Sequence, residues 1–429
     1  MSNHSYSFAG NVLKLVTGNV FAQALGVLAA PFIARLFTPE AFGIAALFLS
    51  ITSIINVVVC LRYEVSIMLP KTDEEAANLL GVSLAFVLIT TGISILGIFF
   101  AWDIIADLLM SQNLRKYLWL IPVSVFVNGT FVALNYWNSR TKHFGRLSIA
   151  RIISSVATQT TKLGTGIAGF VGAGVLIGAD ILGQIVSTLI LGWKIWRDDG
   201  QLFKDSIHRK KMVANLKLYK KFPLYGIFPS LLDNLTLAMP VLFFTKFFGS
   251  TVTGYYSFGM RIIQLPVTLV GVSISQVFHQ KIASTQAVTG EISFYVEQVF
   301  QRLVFMTIPI LLVMLSAPLW FKILFGPQWN VAGQYVMILA PGVALRFTVS
   351  PISVVFGVRN RQELAAIWKV ISLISTAILL GVSLPFADAK YSLYFLVIND
   401  LFIYSLYLYL IFRVSRASIK RAIFSVALR

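Results

Sequence analysis

The stretch AFGIAALFLSITSIINVVVCLRYEVSIML, Ala41 to Leu69, decides the fold class. From Ala41 to Leu61 it carries no charged residue. A helix needs about 20 mostly apolar residues to cross a hydrocarbon layer of about 30 Å. Inside that layer every backbone N–H and C=O must find its partner within its own segment, so the stretch reads as a helix. A transmembrane barrel strand would instead be about ten residues of alternating polarity.

Eleven further stretches read the same way. The twelve predicted spans are 11–34, 41–69, 77–101, 117–137, 148–169, 171–193, 222–248, 253–277, 294–319, 333–356, 364–386 and 391–412. Only a Gly-rich turn, Gly169 to Gly174, divides the fifth from the sixth. The chain has 429 residues, 57% of them apolar and 12% charged, with a mean hydropathy of +0.80. That balance excludes a soluble globular protein and a disordered one. The fold class is therefore an all-α polytopic membrane protein with about 12 transmembrane helices.

The net charge of +18 would suggest a nucleic-acid partner in a soluble protein. Here the basic residues follow the loops instead. With the N-terminus inside, the cytoplasmic segments hold 21 Lys and Arg and the outer loops hold 5. This asymmetry predicts both termini in the cytoplasm, an even number of spans and no nucleic acid. The start, MSNHSYSFAG, lacks a basic n-region and a small-residue cleavage site, so the first span reads as an uncleaved signal anchor.

The longest connection, 194–221, lies at the midpoint and contains HRKKMVANLKLYKK. Val213, Leu216 and Tyr219 sit among six basic residues, a pattern suited to a helix on the anionic inner leaflet. It separates a six-helix lobe, 1–196, from a second, 222–429, through the basic connection 197–221. The halves share a pattern: Arg35, Phe37 and Gly43 recur 211 residues later as Lys246, Phe248 and Gly254. Together with the six-plus-six count, this suggests a parallel duplication.

No enzyme motif stands out. Cys60 is the sole cysteine, and His4, His143, His208 and His279 show no metal-ligand spacing. The one GxGxxG match, Gly164 to Gly169, falls inside a span, where small residues serve close helix packing. No cofactor is expected.

The informative residues are ionisable ones within spans, each costing at least about 2–3 kcal/mol at mid-bilayer. The basic set is Lys14, Arg62, Arg151, Lys162, Lys246, Arg261, Arg302, Arg346 and Lys369; the acidic set is Glu64, Asp180, Asp233, Glu297 and Asp400. Those near helix ends can snorkel to the surface; Lys162, Asp233, Arg261 and Arg346 lie deeper. Helical spacing groups them with polar residues. Ser257, Arg261, Gln264, Thr268, Gly271 and Ser275 share one face, as do Arg151, Ser155, Thr158, Gln159 and Lys162. Arg346, Ser350 and Ser353 align, as do Ser53, Asn56, Cys60 and Glu64, and Arg62, two residues from Glu64, points about 160° away from it. Such stripes either line a hydrophilic cavity or act as hydrogen-bonding glue between helices. A basic cavity would take an anionic cargo.

PFIARLFTPEAFG (Pro31 to Gly43), LRYEVSIMLPKTDEEAANLL (Leu61 to Leu80) and FGPQWNVAG (Phe325 to Gly333) carry a family resemblance. The chain resembles polysaccharide or O-antigen flippases (Wzx-like) of the multidrug/oligosaccharidyl-lipid/polysaccharide exporter superfamily (MOP, which includes the MATE transporters). The resemblance implies two six-helix lobes around a cavity open to one side at a time. It also implies a cargo: an oligosaccharide unit linked by pyrophosphate to undecaprenol, moved from the inner to the outer leaflet of a bacterial inner membrane. Candidate partners are then membrane lipids and the polysaccharide polymerase machinery. The candidate cationic clamp is Lys14, Arg62, Arg151, Lys162, Arg261 and Arg346; Asn56, Gln159, Gln264 and Ser350 are the candidate polar lining. A proton or sodium gradient could act through Glu64, Asp180, Asp233 or Asp400, although each is equally well a counter-charge to a neighbouring cation. A drug antiporter of the same superfamily should be net acidic in its spans, whereas here nine basic face five acidic residues. A membrane polymerase or ligase usually has a large outer loop, which is absent here.

Overall fold

The computed structural model describes the backbone of residues 3–108, 112–284 and 289–424, and the side chains of 17–100, 114–282 and 291–422. Among the described residues every regular element is helical. Ten helical runs among them are long and apolar enough to cross a membrane. The run Lys221–Ile282 is two helices joined end to end. Its helix, α10 (Lys221–Ser284), breaks at Gly249, where φ 85° and ψ 172° suit a residue without Cβ. A further helix, α7 (Phe144–Ile167), is too polar to count among the ten, carrying Arg146, Arg151 and Lys162. With both allowed for, the helices follow the twelve expected spans.

The chain divides into two compact units, Met1–Gly254 and Tyr255–Arg429. The first contains α1 (Asn3–Leu36), α2 (Pro39–Val58), the short α3 (Tyr63–Ser66), α4 (Asp73–Leu108), α5 (Gln112–Arg115), α6 (Leu120–Arg140), α7, α8 (Ala173–Ser206), α9 (Arg209–Leu218) and the first half of α10. Thr38 caps α2 by accepting from the Ala41 N–H at 3.3 Å, with Pro39 in the first turn. The Gly-rich turn between α7 and α8 is present, with Gly169 at φ 89°. α7 packs against both α1 and α8, and α6 against α4 and α8. The core gathers Leu47 and Phe48 of α2, Leu79 of α4, Trp137 of α6 and Ile195 of α8, all essentially inaccessible.

Lipid cannot drive apolar helices together as water does, so close approach of small residues matters. Gly183 of α8 meets Thr158 and Ser154 of α7, where a Cβ would lie 1.9 Å from Thr158 Oγ1. Gly43 at the start of α2 faces the Ser250 carbonyl, and Gly254 faces the Pro39 carbonyl. These two contacts are reciprocal: both glycines, and both carbonyl residues, are 211 residues apart, the offset at which the sequence repeats itself.

The second unit holds the rest of α10, α11 (Thr289–Leu315), α12 (Ala317–Phe325), α13 (Asn330–Val349), α14 (Val355–Val358), α15 (Gln362–Ser383), α16 (Ala389–Ser415) and α17 (Ile419–Phe424). α13 packs against α11, α12 and α16, and α15 against α16. Gly326, at φ 105°, turns the chain between α12 and α13. Phe347, Ile352, Phe356 and Ile411 are among its buried core residues.

Two expected helices are shorter than their spans. The second span does not run through to Leu69. α2 ends at Val58, and Leu61 and Arg62 take the left-handed conformation, at φ 47° and 64°. Two consecutive non-glycine residues there break the helix and cost of order 1–3 kcal/mol each. The tenth span tightens at Ser350–Val354 into a 3-10 helix, because Pro351 has no N–H to continue the α pattern.

Candidate functional site

In the first unit, the polar stripe of α7 faces its neighbouring helices. The Arg151 guanidinium donates to Asn19 Oδ1 of α1, and Ser155 Oγ donates to the Ala22 carbonyl at 2.8 Å. Gln159 lies beside Gly26. The Lys162 ammonium, with its side chain 4% exposed, sits 2.6 Å from Asp180 Oδ1 of α8. Asp180 thus stands as the counter-charge that the depth of Lys162 demands. Arg151, Gln159, Lys162 and Asp180 are brought into one seam, α1–α7–α8.

Arg62 and Glu64 form a second cluster. Continuous helix would point them apart, but the left-handed turn swings Arg62 round, and its Nη1 lies 3.7 Å from Glu64 Oε1. The expected separation of about 160° is corrected by that turn. Glu64 is buried, and its Oε2 has no hydrogen-bond partner among the described residues; the same holds for Asn56 Oδ1 on α2. The Arg62 side chain lies against Gly226 of α10.

The connection just beyond this turn, from α3 into α4, is held by residues without a sequence signal. Arg140, at the end of α6, donates to the carbonyls of Ile67, Pro70 and Thr72 and pairs with Asp73 at 2.9 Å. Tyr63 Oη donates to the Leu216 carbonyl of α9 at 3.0 Å. Only the spatial meeting of 140 with 67–73 reveals the first of these. In sequence Arg140 is one loop cation among many.

In the second unit, Arg346 of α13 pairs with Asp400 of α16. A single nitrogen, Nη2, is 3.2 Å from both carboxylate oxygens, while Nε is buried without a partner among the described residues. The guanidinium also lies over the Tyr404 ring at 5.4 Å. Tyr404 is four residues beyond Asp400 and so shares its face of α16. Gly342 makes the approach possible, since a Cβ there would come within 2.9 Å of Asp400 Cβ. Ser350 is exposed at the start of the 3-10 turn, where Ser353 Oγ donates to its carbonyl.

Arg261 differs from these. It is exposed and has no ion-pair partner among the described residues. It lies twelve residues past Gly249, about 18 Å along the helix, and Gln264 beside it is half-buried. Asp233, on the first half of α10, is exposed and has an interaction of its own. The Lys14 side chain lies outside the described residues. Among the described residues, no three His, Cys, Asp or Glu form a metal-binding group. The arrangement offers cations, mostly paired, and hydroxyl and amide groups.

A family model described as polysaccharide biosynthesis protein matches residues 32–334. No curated protein matches. Among solved structures, a lipid II flippase MurJ in an inward closed conformation superposes with a TM-score of 0.74 at 17% identity, covering 95% of this chain and 88% of that one. An inward-facing multidrug resistance MATE family transporter of the MOP superfamily gives 0.67 at 14%, covering 92% and 95%. A Vibrio cholerae MATE transporter gives 0.60 at 13%, covering 96% and 97%. At these identities the likeness is one of fold, and the fold is that expected from the sequence.

Proposed function

We propose, since the chain belongs to the polysaccharide biosynthesis protein family, that it is a flippase. Its cargo is an oligosaccharide repeat unit, of O-antigen or a related surface polysaccharide, carried on undecaprenyl pyrophosphate. It moves this cargo from the inner to the outer leaflet of a bacterial inner membrane by alternating access of two six-helix lobes, 1–196 and 222–429. Both termini lie in the cytoplasm. The protein transports and carries out no bond chemistry.

The observation that carries this reading is Arg261. An exposed cation about 18 Å into a membrane helix cannot face lipid without a cost of several kcal/mol, so it faces water or an anion. A pyrophosphate leaves water only when cations and hydrogen bonds replace its hydration. Arg346, which carries an acidic partner, supplies a further positive group, and Gln264 and Ser350 suit sugar hydroxyls. An inside-negative potential favours outward movement of an anion by about 2.3 kcal/mol per charge per 100 mV. A proton or sodium ion coupled through Glu64 fits its buried, half-satisfied carboxyl.

The test is a deletion strain complemented with Arg261→Ala. Surface polysaccharide should be lost and the lipid-linked unit should build up inside, at unchanged membrane levels of the protein, with Arg261→Lys milder. Normal glycan in the Arg261→Ala strain would sink the assignment. Normal glycan on full deletion, with loss of dye export, would transfer the protein to the drug antiporters.

A further inference from the structure

The connection at the chain midpoint is a built surface. α9 is fastened to the first unit by polar contacts on one side. Asn78 of α4 donates to the Ser206 carbonyl at 2.9 Å and accepts from the His208 N–H at 3.0 Å. Asn215, itself buried, donates to the Glu75 carbonyl at 3.2 Å, and the Leu216 carbonyl accepts from Tyr63. Met212, Leu216 and Tyr219 pack onto the core.

The opposite side is left bare, and it is basic. Arg209, Lys210, Lys211, Lys217, Lys220 and Lys221 are all exposed. None makes an ion pair among the described residues, although Asp73, Glu74 and Glu75 begin the helix on which α9 lies. Apolar groups stand among them: Val213 is 45% exposed and Leu218 68%. α8, which leads into α9, carries two tryptophans capped by cations in about its last four turns. Arg197 lies 5.3 Å from the Trp193 ring centre and Lys204 5.8 Å from that of Trp196. Both rings are more than half exposed. Tryptophan under a cation, on the helix that leads into a cationic face with apolar residues, fits the headgroup level of a bilayer.

We propose that α9, with the end of α8, is a binding site for anionic phospholipid headgroups. The charge is complementary, the apolar groups reach acyl chains, and the fastening to Asn78, Glu75 and Tyr63 holds the face outward without induced order. Because Tyr63 belongs to the turn that positions Arg62 and Glu64, a lipid held here also braces that turn. The proposal does not depend on the flippase reading.

The experiment uses the full-length protein in nanodiscs of equimolar phosphatidylglycerol and phosphatidylcholine, which carry the same lipids in both leaflets and so do not presuppose an orientation. Lipid retained after release is counted by native mass spectrometry. The wild type should retain phosphatidylglycerol in preference and lose that preference as salt rises. The quadruple variant Lys210→Gln, Lys211→Gln, Lys217→Gln, Lys220→Gln should lower it about fivefold per charge removed, towards the phosphatidylcholine level. The corresponding four Lys→Arg changes should keep it. No preference in the wild type, a preference indifferent to salt, or equal preference in the Gln variant would each overturn the proposal. So would capture of an acidic protein by this face without lipid preference.

Discussion

Replacing Gly43 with alanine should destabilise the protein by about 2 kcal/mol. A Cβ at Gly43 would lie 1.8 Å from the Ser250 carbonyl oxygen and 2.9 Å from the Gly254 nitrogen. At Gly254 it would lie 1.8 Å from the Pro39 carbonyl oxygen. Both obstacles are backbone, so no rotamer change relieves them. Reaching even 3.0 Å requires the two segments to part by about 1.2 Å. Overpacking of a close contact costs typically about 1–3 kcal/mol, and a clash with backbone that no rotamer relieves lies at the top of that range. Alanine returns up to about 1 kcal/mol over glycine within a helix, which leaves a net loss near the figure above.

The reciprocal geometry makes a sharper claim. One displacement relieves both clashes, so the separation forced by the first methyl makes room for the second. The pair Gly43→Ala, Gly254→Ala should therefore lose less than the sum of the singles, with a coupling of at least about 0.5 kcal/mol. Gly92→Ala, in α4 with nothing within 4 Å of its Cβ, is the control and should be neutral or slightly stabilising. The assay is reversible denaturant unfolding in detergent, read as four corners of a double-mutant cycle. Strict additivity, or wild-type stability for Gly43→Ala, would refute the shared contact.

Lys162→Met should cost about 3 kcal/mol by leaving Asp180 uncompensated, and Lys162→Met with Asp180→Leu should recover most of it, both read by thermal unfolding. Cys60 is buried, so an introduced thiol is the accessible one. Lys210→Cys should react with an impermeant maleimide only after the inner membrane is opened, and Lys390→Cys in cells with only the outer layers permeable; the reverse pattern would overturn the orientation. Asp400→Asn keeps the shape beside Gly342 but frees Arg346. It should tighten binding of a pyrophosphate lipid and slow its turnover, and weaker binding would contradict a competing role for Asp400.

The spans were legible because hydrocarbon imposes one requirement, internal backbone satisfaction, on every crossing segment, and apolar length records it. Even the divided α10 was readable, since the FFGSTVTG stretch around Gly249 interrupts an apolar run with small and polar residues. The turn at Leu61–Arg62 was not. Neither residue type signals left-handed backbone, and the connection just beyond it is fastened by Arg140 from another helix. Spacing put Arg151, Gln159 and Lys162 on one face of α7 correctly, but spacing within one helix cannot say what that face meets. Here it meets α1 and α8. Likewise Asp180 and Asp400 are partners of particular cations only through tertiary contact.

That pairing bears on how an anion would be handled. A cation that already holds a carboxylate does not offer its full charge; the anion must displace the acid, so binding becomes an exchange and its net strength falls. For Arg346 the exchange is favourable in form. Asp400 engages it end-on through one nitrogen at 3.2 Å, leaving Nε without a partner among the described residues, whereas a phosphate can take the guanidinium side-on through two. Lys162, a point charge 4% exposed at 2.6 Å from Asp180, offers no such second geometry and is better suited to hold α7 on α8. A carrier has to release as well as capture. Under the proposed function, an Arg261 with no ion-pair partner among the described residues and an Arg346 whose pairing is exchangeable would meet both needs, where a row of free arginines would bind and not let go.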